Sequence, residues 1–311
     1  MHIRLAVPAI AVLAVMGTAA PATMAASSST TPAAGSDSRQ LMIDAAKTES
    51  AASLQYAGYA DGALRSGRPD LADVWQSVGL VEHQDHWMHE VTEAGLYSAT
   101  DNAANLRTAI EQAQQSAKAY TDWAAQAPEN SAAATELRAV AARQTAAAGL
   151  LTQALSALQG KGQVPAAPSV STVAIQVSKA PHHTGSFYNA LTNDTNSALT
   201  TAAWNWAEYQ SLAQTAVNTG QARLAALFAA LAAQERHENW PRLSNAAGYV
   251  NSDATDLKTS IASEQEAIDM YARYADEAQK AGDKAAADFF SEAGGDEMHH
   301  KLTFQQLTGQ G

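Results

Sequence analysis

The chain contains no cysteine. That excludes disulfides, iron–sulfur centres, a Cys₄ iron site of the rubredoxin type and a thiol nucleophile. Aromatic residues make up only 6% of the chain, while alanine and aliphatic residues are abundant. Alanine is the best helix former, so this composition favours helices. Basic residues are in deficit: 19 Lys and Arg stand against 31 Asp and Glu, for a formal net charge of -12. A partner with a phosphate backbone calls for the opposite balance, which argues against nucleic acid. An acidic helical protein is compatible with cation binding, although the charge also serves solubility. The one notable apolar run, "LAVPAIAVLAVMGTAA", is too short and too broken to span a membrane.

That run has the form of an export signal. "MHIR" supplies a short basic start and "PATMAA" offers small residues for cleavage, so residues 1–26 are expected to be a signal peptide. The mature protein would then be secreted or extracytoplasmic, with no membrane span. Residues 27–39, rich in Ser, Thr and Ala, read as a disordered N-terminus. A length of 311 residues allows one to three domains.

From 40 to 160 the pattern is helical, with breaks at "RSGRPD", "SATDN" and "APEN". Gly67 fits a residue just past a helix end, and Pro69 and Pro128 fit the first turn of the next helix. Residues 161–185 are rich in Gly, Pro, Ser and Val and read as a linker; the pair His182 and His183 within it reads as solvated. A second helical block covers 186–311, with breaks at "NTGQ", "AAGYVNSD" and "KAGDK". Each block is expected to hold four helices. The fold class expected is all-α, with two four-helix bundles built from duplicated hairpins.

The duplication is visible in the residues. Shifted by 215, segment 49–85 lies on 264–300 without a gap. Glu49 meets Glu264, Tyr56 meets Tyr271, Gly67 meets Gly282, Trp75 meets Phe290 and Glu82 meets Glu297. Asp85 meets His300. A third copy, 202–238, matches Tyr209, Gly220 and Glu235 to the same frame, with Ala202 in the place of Glu49 and Glu238 in the place of Asp85. A fourth copy within 111–150 keeps Tyr120 but no matching carboxylate pair.

These repeats carry a ligand pattern. Glu297 and His300 are three apart, so they share a helix face, and Glu264 can meet them from the preceding antiparallel helix. A Glu on one helix with Glu-x-x-His on the next is half of a di-iron or di-manganese carboxylate site. Carboxylates are hard, anionic and able to bridge two cations, and imidazole adds a firm terminal ligand. In "VEHQDHWMHE" (81–90) the corresponding residues are Glu82 and Asp85, with His86 as an alternative to Asp85. His89 and Glu111 are further candidates there, while His83 points to the surface. The recurring tyrosines read as core packing.

Glu, Tyr seven residues on, and a later Glu-x-x-His resemble the hairpin of rubrerythrin-type ferritin-like proteins. The resemblance covers 40–160 and 186–308 and is strongest in the first and last hairpins. It implies two hairpins enclosing a di-iron centre, with the first-helix Glu terminal, the second Glu bridging and His terminal. Carried over, the metal ligands would be Glu264, Glu297 and His300, then Glu49, Glu82 and Asp85 or His86, and Glu235 with Glu238. Ala202 removes one terminal ligand, so neither block completes a set of six by itself. The hairpins pair either within a block or across blocks, the latter bringing the first and last together. The function implied is binding of iron or manganese, with peroxide reduction or ferrous-iron oxidation by an oxidoreductase that draws electrons from an external donor. The alternatives are a non-catalytic module with degraded sites, and metal scavenging without turnover.

Overall fold

The computed structural model describes residues 36–128, 131–179, 191–192 and 197–308. The expected signal peptide, His182 and His183, and the start of the second block at 186 lie outside the described residues. Eight helices and no strand are found among those described. Helix α1 is Ser36–Ser66. Helix α2 runs as α-helix over Pro69–Val81, as π-helix over Glu82–Trp87 and as α-helix again over Met88–Glu93. Helices α3 and α4 are Asn102–Gln126 and Ala132–Leu158. Helix α5 is Ala198–Asn218. Helix α6 repeats the form of α2: α-helix Ala222–Gln234, π-helix Glu235–Asn239 and α-helix Trp240–Ala247. Helices α7 and α8 are Asp253–Ala281 and Lys284–Thr308. None of them is long and apolar enough to cross a membrane.

The helix ends follow local chemistry. Gly67 has φ +80°, and the next amide, of Arg68, donates back to Ala63 O at 2.8 Å, closing α1 in the left-handed turn that glycine adopts without strain. Pro69 then opens α2, as its fixed φ favours. Asp101 caps α3 by accepting from the amides of Ala103 and Ala104. Pro128 is not in the first turn of α4: Ser131 caps that helix and Ala132 begins it. Residues 36–39, expected to be disordered, belong to α1, where Arg39 Nε donates to Ala94 O at 2.8 Å.

Sequential helices form hairpins, α1 with α2, α3 with α4, α5 with α6 and α7 with α8. The hairpins pair across the two blocks. Helix α1 lies along α7, and α3 lies along α5. One bundle is therefore α1, α2, α7 and α8, and the other is α3, α4, α5 and α6. They share a core that includes Tyr56, Trp75 and Phe304 of the first bundle and Tyr120, Leu137 and Trp240 of the second. Each large aromatic buried in this way stabilises by about 1.5–3 kcal/mol. A methyl at Gly58 of α1 would sit 2.3 Å from Trp240 Cη2 of α6, so only glycine admits that indole. Residues 161–179 form neither helix nor strand and lie on the helices rather than hanging free. Val173 N donates to His237 O at 2.8 Å, Ser178 N donates to Val250 O at 2.7 Å, and Ile175 is buried.

Candidate metal centre

Pairing across the blocks brings Glu49, Glu82 and His86 from the first hairpin to Glu264, Glu297 and His300 from the last. Their ligand atoms form two overlapping groups, Glu49–Glu82–His86–Glu297 and Glu82–Glu264–Glu297–His300, each with all atoms within 4.8 Å of one another. Glu82 and Glu297 belong to both. His86 Nδ1 lies 3.0 Å from Glu82 Oε2, 3.2 Å from Glu297 Oε1 and 3.7 Å from Glu49 Oε2. His300 Nδ1 lies 3.1 Å from Glu82 Oε1, 3.3 Å from Glu297 Oε2 and 3.6 Å from Glu264 Oε2. Each shared carboxylate thus turns one oxygen toward each imidazole. Glu49 and Glu264 face one imidazole each. That is the disposition of two bridging and two terminal carboxylates.

The π-helical turn explains the mismatch between the two hairpins. It places one extra residue in α2, so His86, four residues after Glu82, stands where His300 stands three after Glu297. Single π turns of this kind are frequent at functional sites. Asp85 is turned out to solvent, whereas His86 is buried. The alternative ligand, His86, is the one at the cluster.

Four buried carboxylates in one place repel one another and resist losing water. Burial, then Glu297 and Glu82, hold Glu49 well above the usual carboxylate range. Burial chiefly, with Glu297, raises Glu264 to about 8. Glu82 is pulled the other way: burial would raise it, but His300 and His86 outweigh that and lower it. Burial alone would depress His86 and His300, yet the surrounding carboxylates raise both, His300 to about 12. Glu82 Oε1, Glu264 Oε2 and Glu297 Oε1 are buried and make no hydrogen bond, although an imidazole nitrogen is within 3.1–3.6 Å of each. His86 Nδ1 bonds Glu82 Oε2 and His300 Nδ1 bonds Glu297 Oε2, and the carboxylate lone pairs left over are ones a cation would satisfy. The residues fit two metal ions.

A supporting layer was not legible as such in the sequence. The Tyr56 hydroxyl of α1 donates to Glu264 Oε1 of α7. Tyr271 of α7 answers from the other side, donating to Glu49 Oε1 at 2.9 Å, with Glu90 Oε1 at 2.8 Å. The tyrosines pack in the core as expected, but each also orients a terminal carboxylate of the opposite hairpin. Glu90 is a fifth buried acid beside the cluster, raised by burial to about 8. Its place at i+4 from His86, which is itself i+4 from Glu82, was the available signal. Asp296 Oδ2 lies 3.5 Å from His86 Nε2, on the far side of that ring.

The remaining candidates lie elsewhere. His83 is not a surface residue: it is buried between Trp87 and Trp206, with centroids at 5.3 and 4.6 Å, and burial lowers it to about 4. His89 is exposed and stacks on Phe289 at 4.0 Å. Glu111 is exposed on α3. Glu235 and Glu238 belong to neither ligand group. They sit in the second bundle, where the π turn of α6 puts Asn239, not Glu238, at the position of His86. Gln144 Nε2 donates to Glu235 Oε1, Arg143 Nε donates to Asn239 Oδ1, and Ala202 is fully buried where Glu49 would be. Glu238 turns instead toward Arg143 and Arg242, at 3.5 and 3.6 Å. Amides, a guanidinium and a methyl thus surround Glu235 where the first bundle gathers four carboxylates.

Residues 205–308 match the rubrerythrin family model. The rubrerythrin-type segment covers α5 from Asn205 to the end of α8, about a third of the chain, and supplies Glu264, Glu297 and His300. Glu49, Glu82 and His86 come from outside it. No curated protein and no solved structure matches the chain. The all-helical ferritin-like bundle agrees with the family match.

Proposed function

We propose that this protein holds a di-iron centre and uses it for oxidative chemistry of the peroxide-reducing or ferrous-oxidising class. The observation that carries this reading is the pair of four-residue groups that share Glu82 and Glu297. Glu49 and His86 complete one position, and Glu264 and His300 the other. Iron is favoured by the family match and by a donor set of carboxylates and imidazoles. The bound iron pair would supply one-electron redox chemistry and positions for an oxidant. The chain's own groups do the rest. Tyr56 and Tyr271 hold the terminal carboxylates in place. Burial of Glu49, Glu82, Glu264 and Glu297, each about 1% exposed, keeps bulk water out. With no cysteine in the chain, a peroxide-reducing centre would draw its electrons from an external donor.

The second bundle, with Ala202, Gln144 and Asn239 at its centre, fits a structural role. We further read residues 1–26 as an export signal, so the mature chain would begin after them; N-terminal sequencing of protein recovered outside the cytoplasm tests this.

The central experiment is metal analysis of protein made without a His tag and loaded with ferrous iron. About two iron atoms per chain are expected. Glu297→Ala should lose both, because its carboxylate belongs to both positions. No iron after loading, with unchanged thermal stability, would refute the reading, since a ligand that binds the folded state stabilises it. Binding of manganese in preference to iron would overturn the choice of metal. Peroxide- or dioxygen-dependent oxidation of the loaded centre then separates an enzyme from a store.

A further inference from the structure

The π turn of α6 contributes to neither ligand group, and its outer side faces a pocket of about 500 Å³. The pocket lies between the end of α1, the segment 172–175 and the π turn. Its volume is that of a small-molecule site. In the frame of the repeats, Arg236 stands where α2 has His83. His83 is closed between Trp87 and Trp206, whereas Arg236 lines the pocket. The walls are fixed by hydrogen bonds. Val173 N donates to His237 O at 2.8 Å, and Asn245 holds Ala174 O at 2.9 Å and Gln176 N at 2.8 Å. Arg236 Nη2 donates to Asp61 Oδ2 at 3.1 Å and to Ala57 O at 3.4 Å, so the charge of Asp61 is balanced. Arg65, exposed at the end of α1, also lines the pocket and makes no ion pair among the described residues. Burial, then Arg236, holds His237 below its usual value, so it adds no charge at neutral pH. One positive charge is therefore left over, that of Arg65. Beside it the wall is apolar, with Leu64, Val173 and Pro241, and Leu64 is 51% exposed.

We infer that this pocket binds a small amphipathic monocarboxylate, its carboxylate on Arg65 and its hydrocarbon part against Leu64, Val173 and Pro241. The planar fork of a guanidinium matches a carboxylate through two parallel hydrogen bonds. A dianion would bring a second charge that nothing balances, close to Asp61. The hydrocarbon part and the exposed face of Leu64 leave water together, which favours an amphipathic ligand over a bare anion. Because the walls are already tied in place, little ordering is needed on binding. The pocket shares no residue with the metal ligands, so the inference stands apart from the di-iron reading.

The test uses the full chain and octanoate as probe, titrated by calorimetry, with octanol and octyl phosphate in parallel. Octanoate should bind more tightly than octanol. Arg65→Gln should weaken octanoate about tenfold and leave octanol unchanged. Ala174→Trp, at an exposed position on the pocket wall, should abolish binding of both. Arg138→Gln removes an exposed arginine of α4 outside the pocket and should change neither. No octanoate binding at about 3 mM would overturn the site. Octanol bound as tightly as octanoate, or octanoate unaffected by Arg65→Gln, would overturn recognition of the carboxylate. Octyl phosphate bound about tenfold more tightly than octanoate would overturn the monocarboxylate class. Full octanoate binding by the Ala174→Trp variant would overturn the pocket as its location.

Discussion

Loading the centre with a divalent metal should release more than one proton per chain. The unloaded cluster holds them on identifiable groups. Burial, then Glu297, raises the carboxyl of Glu49 well above the usual carboxylate range, and Glu264 titrates at about 8. His86 and His300 carry their second protons because the carboxylates around them outweigh the effect of burial, with His300 at about 12. A metal needs each Nδ1 lone pair and each carboxylate charge, so the imidazolium protons and any carboxyl proton must leave. Bound protons compete with the metal, so acid weakens loading. By linkage the logarithm of the overall loading constant should rise steeply with pH, and less steeply above about pH 8, where Glu264 is already ionised. Anaerobic titration of ferrous ion into weakly buffered protein with an indicator dye counts the protons. Calorimetry in two buffers of different ionisation enthalpy checks the count. Release of one proton or fewer, with a slope near one, would refute this account of the cluster.

The inserted residue in α2 makes Asp85 dispensable and His86 not: Asp85→Ala should keep two iron atoms, and His86→Ala should lose one or weaken it about 10–100-fold by metal titration. Tyr56→Phe removes the donor on Glu264 and should weaken loading about tenfold while saturation stoichiometry is kept. Gly58→Ala drives a methyl into the Trp240 indole and should cost about 1–3 kcal/mol, read as a lower midpoint in urea. His83, at about 4 in the folded chain against about 6.5 unfolded, gives stability that is complete above pH 6.5 and is lost as pH falls through 4. His83→Phe should therefore flatten the acid branch of the stability curve by about 3 kcal/mol.

The sequence disclosed the hairpins because their punctuation is local. Gly67 and Pro69 end and start helices by backbone preference alone, and the repeated Glu and Tyr positions fix the register. Five of the six clustered residues followed directly from that register. The sixth, His86, was one of two options, because a π turn leaves no composition signal and shifts the count by one. The same shift misassigned Glu238, whose place in the cluster frame belongs to Asn239. Pairing across the blocks was one of two arrangements the repeats allowed. What separates them is long-range packing, such as Gly58 against Trp240, which no local pattern encodes. Glu90 and the tyrosine hydroxyls were hidden for a related reason: their partners lie on the opposite hairpin, 181 to 222 residues away.

The interleaved pairing has a consequence for the order in which the molecule can be completed. A growing chain makes Glu49, Glu82 and His86 first, and their opposing half arrives only with α7 and α8, after the whole second bundle. Until then the first hairpin exposes acids meant for an interior, with nothing to neutralise them. Metal capture would thus be a late event, waiting on α7 and α8. Once made, the same bonds would tie the earliest hairpin to the latest, so that peeling either one away would first have to break the centre. The metal would then set the rate of unfolding as well as the equilibrium, giving a loaded protein a longer lifetime than its packing alone provides.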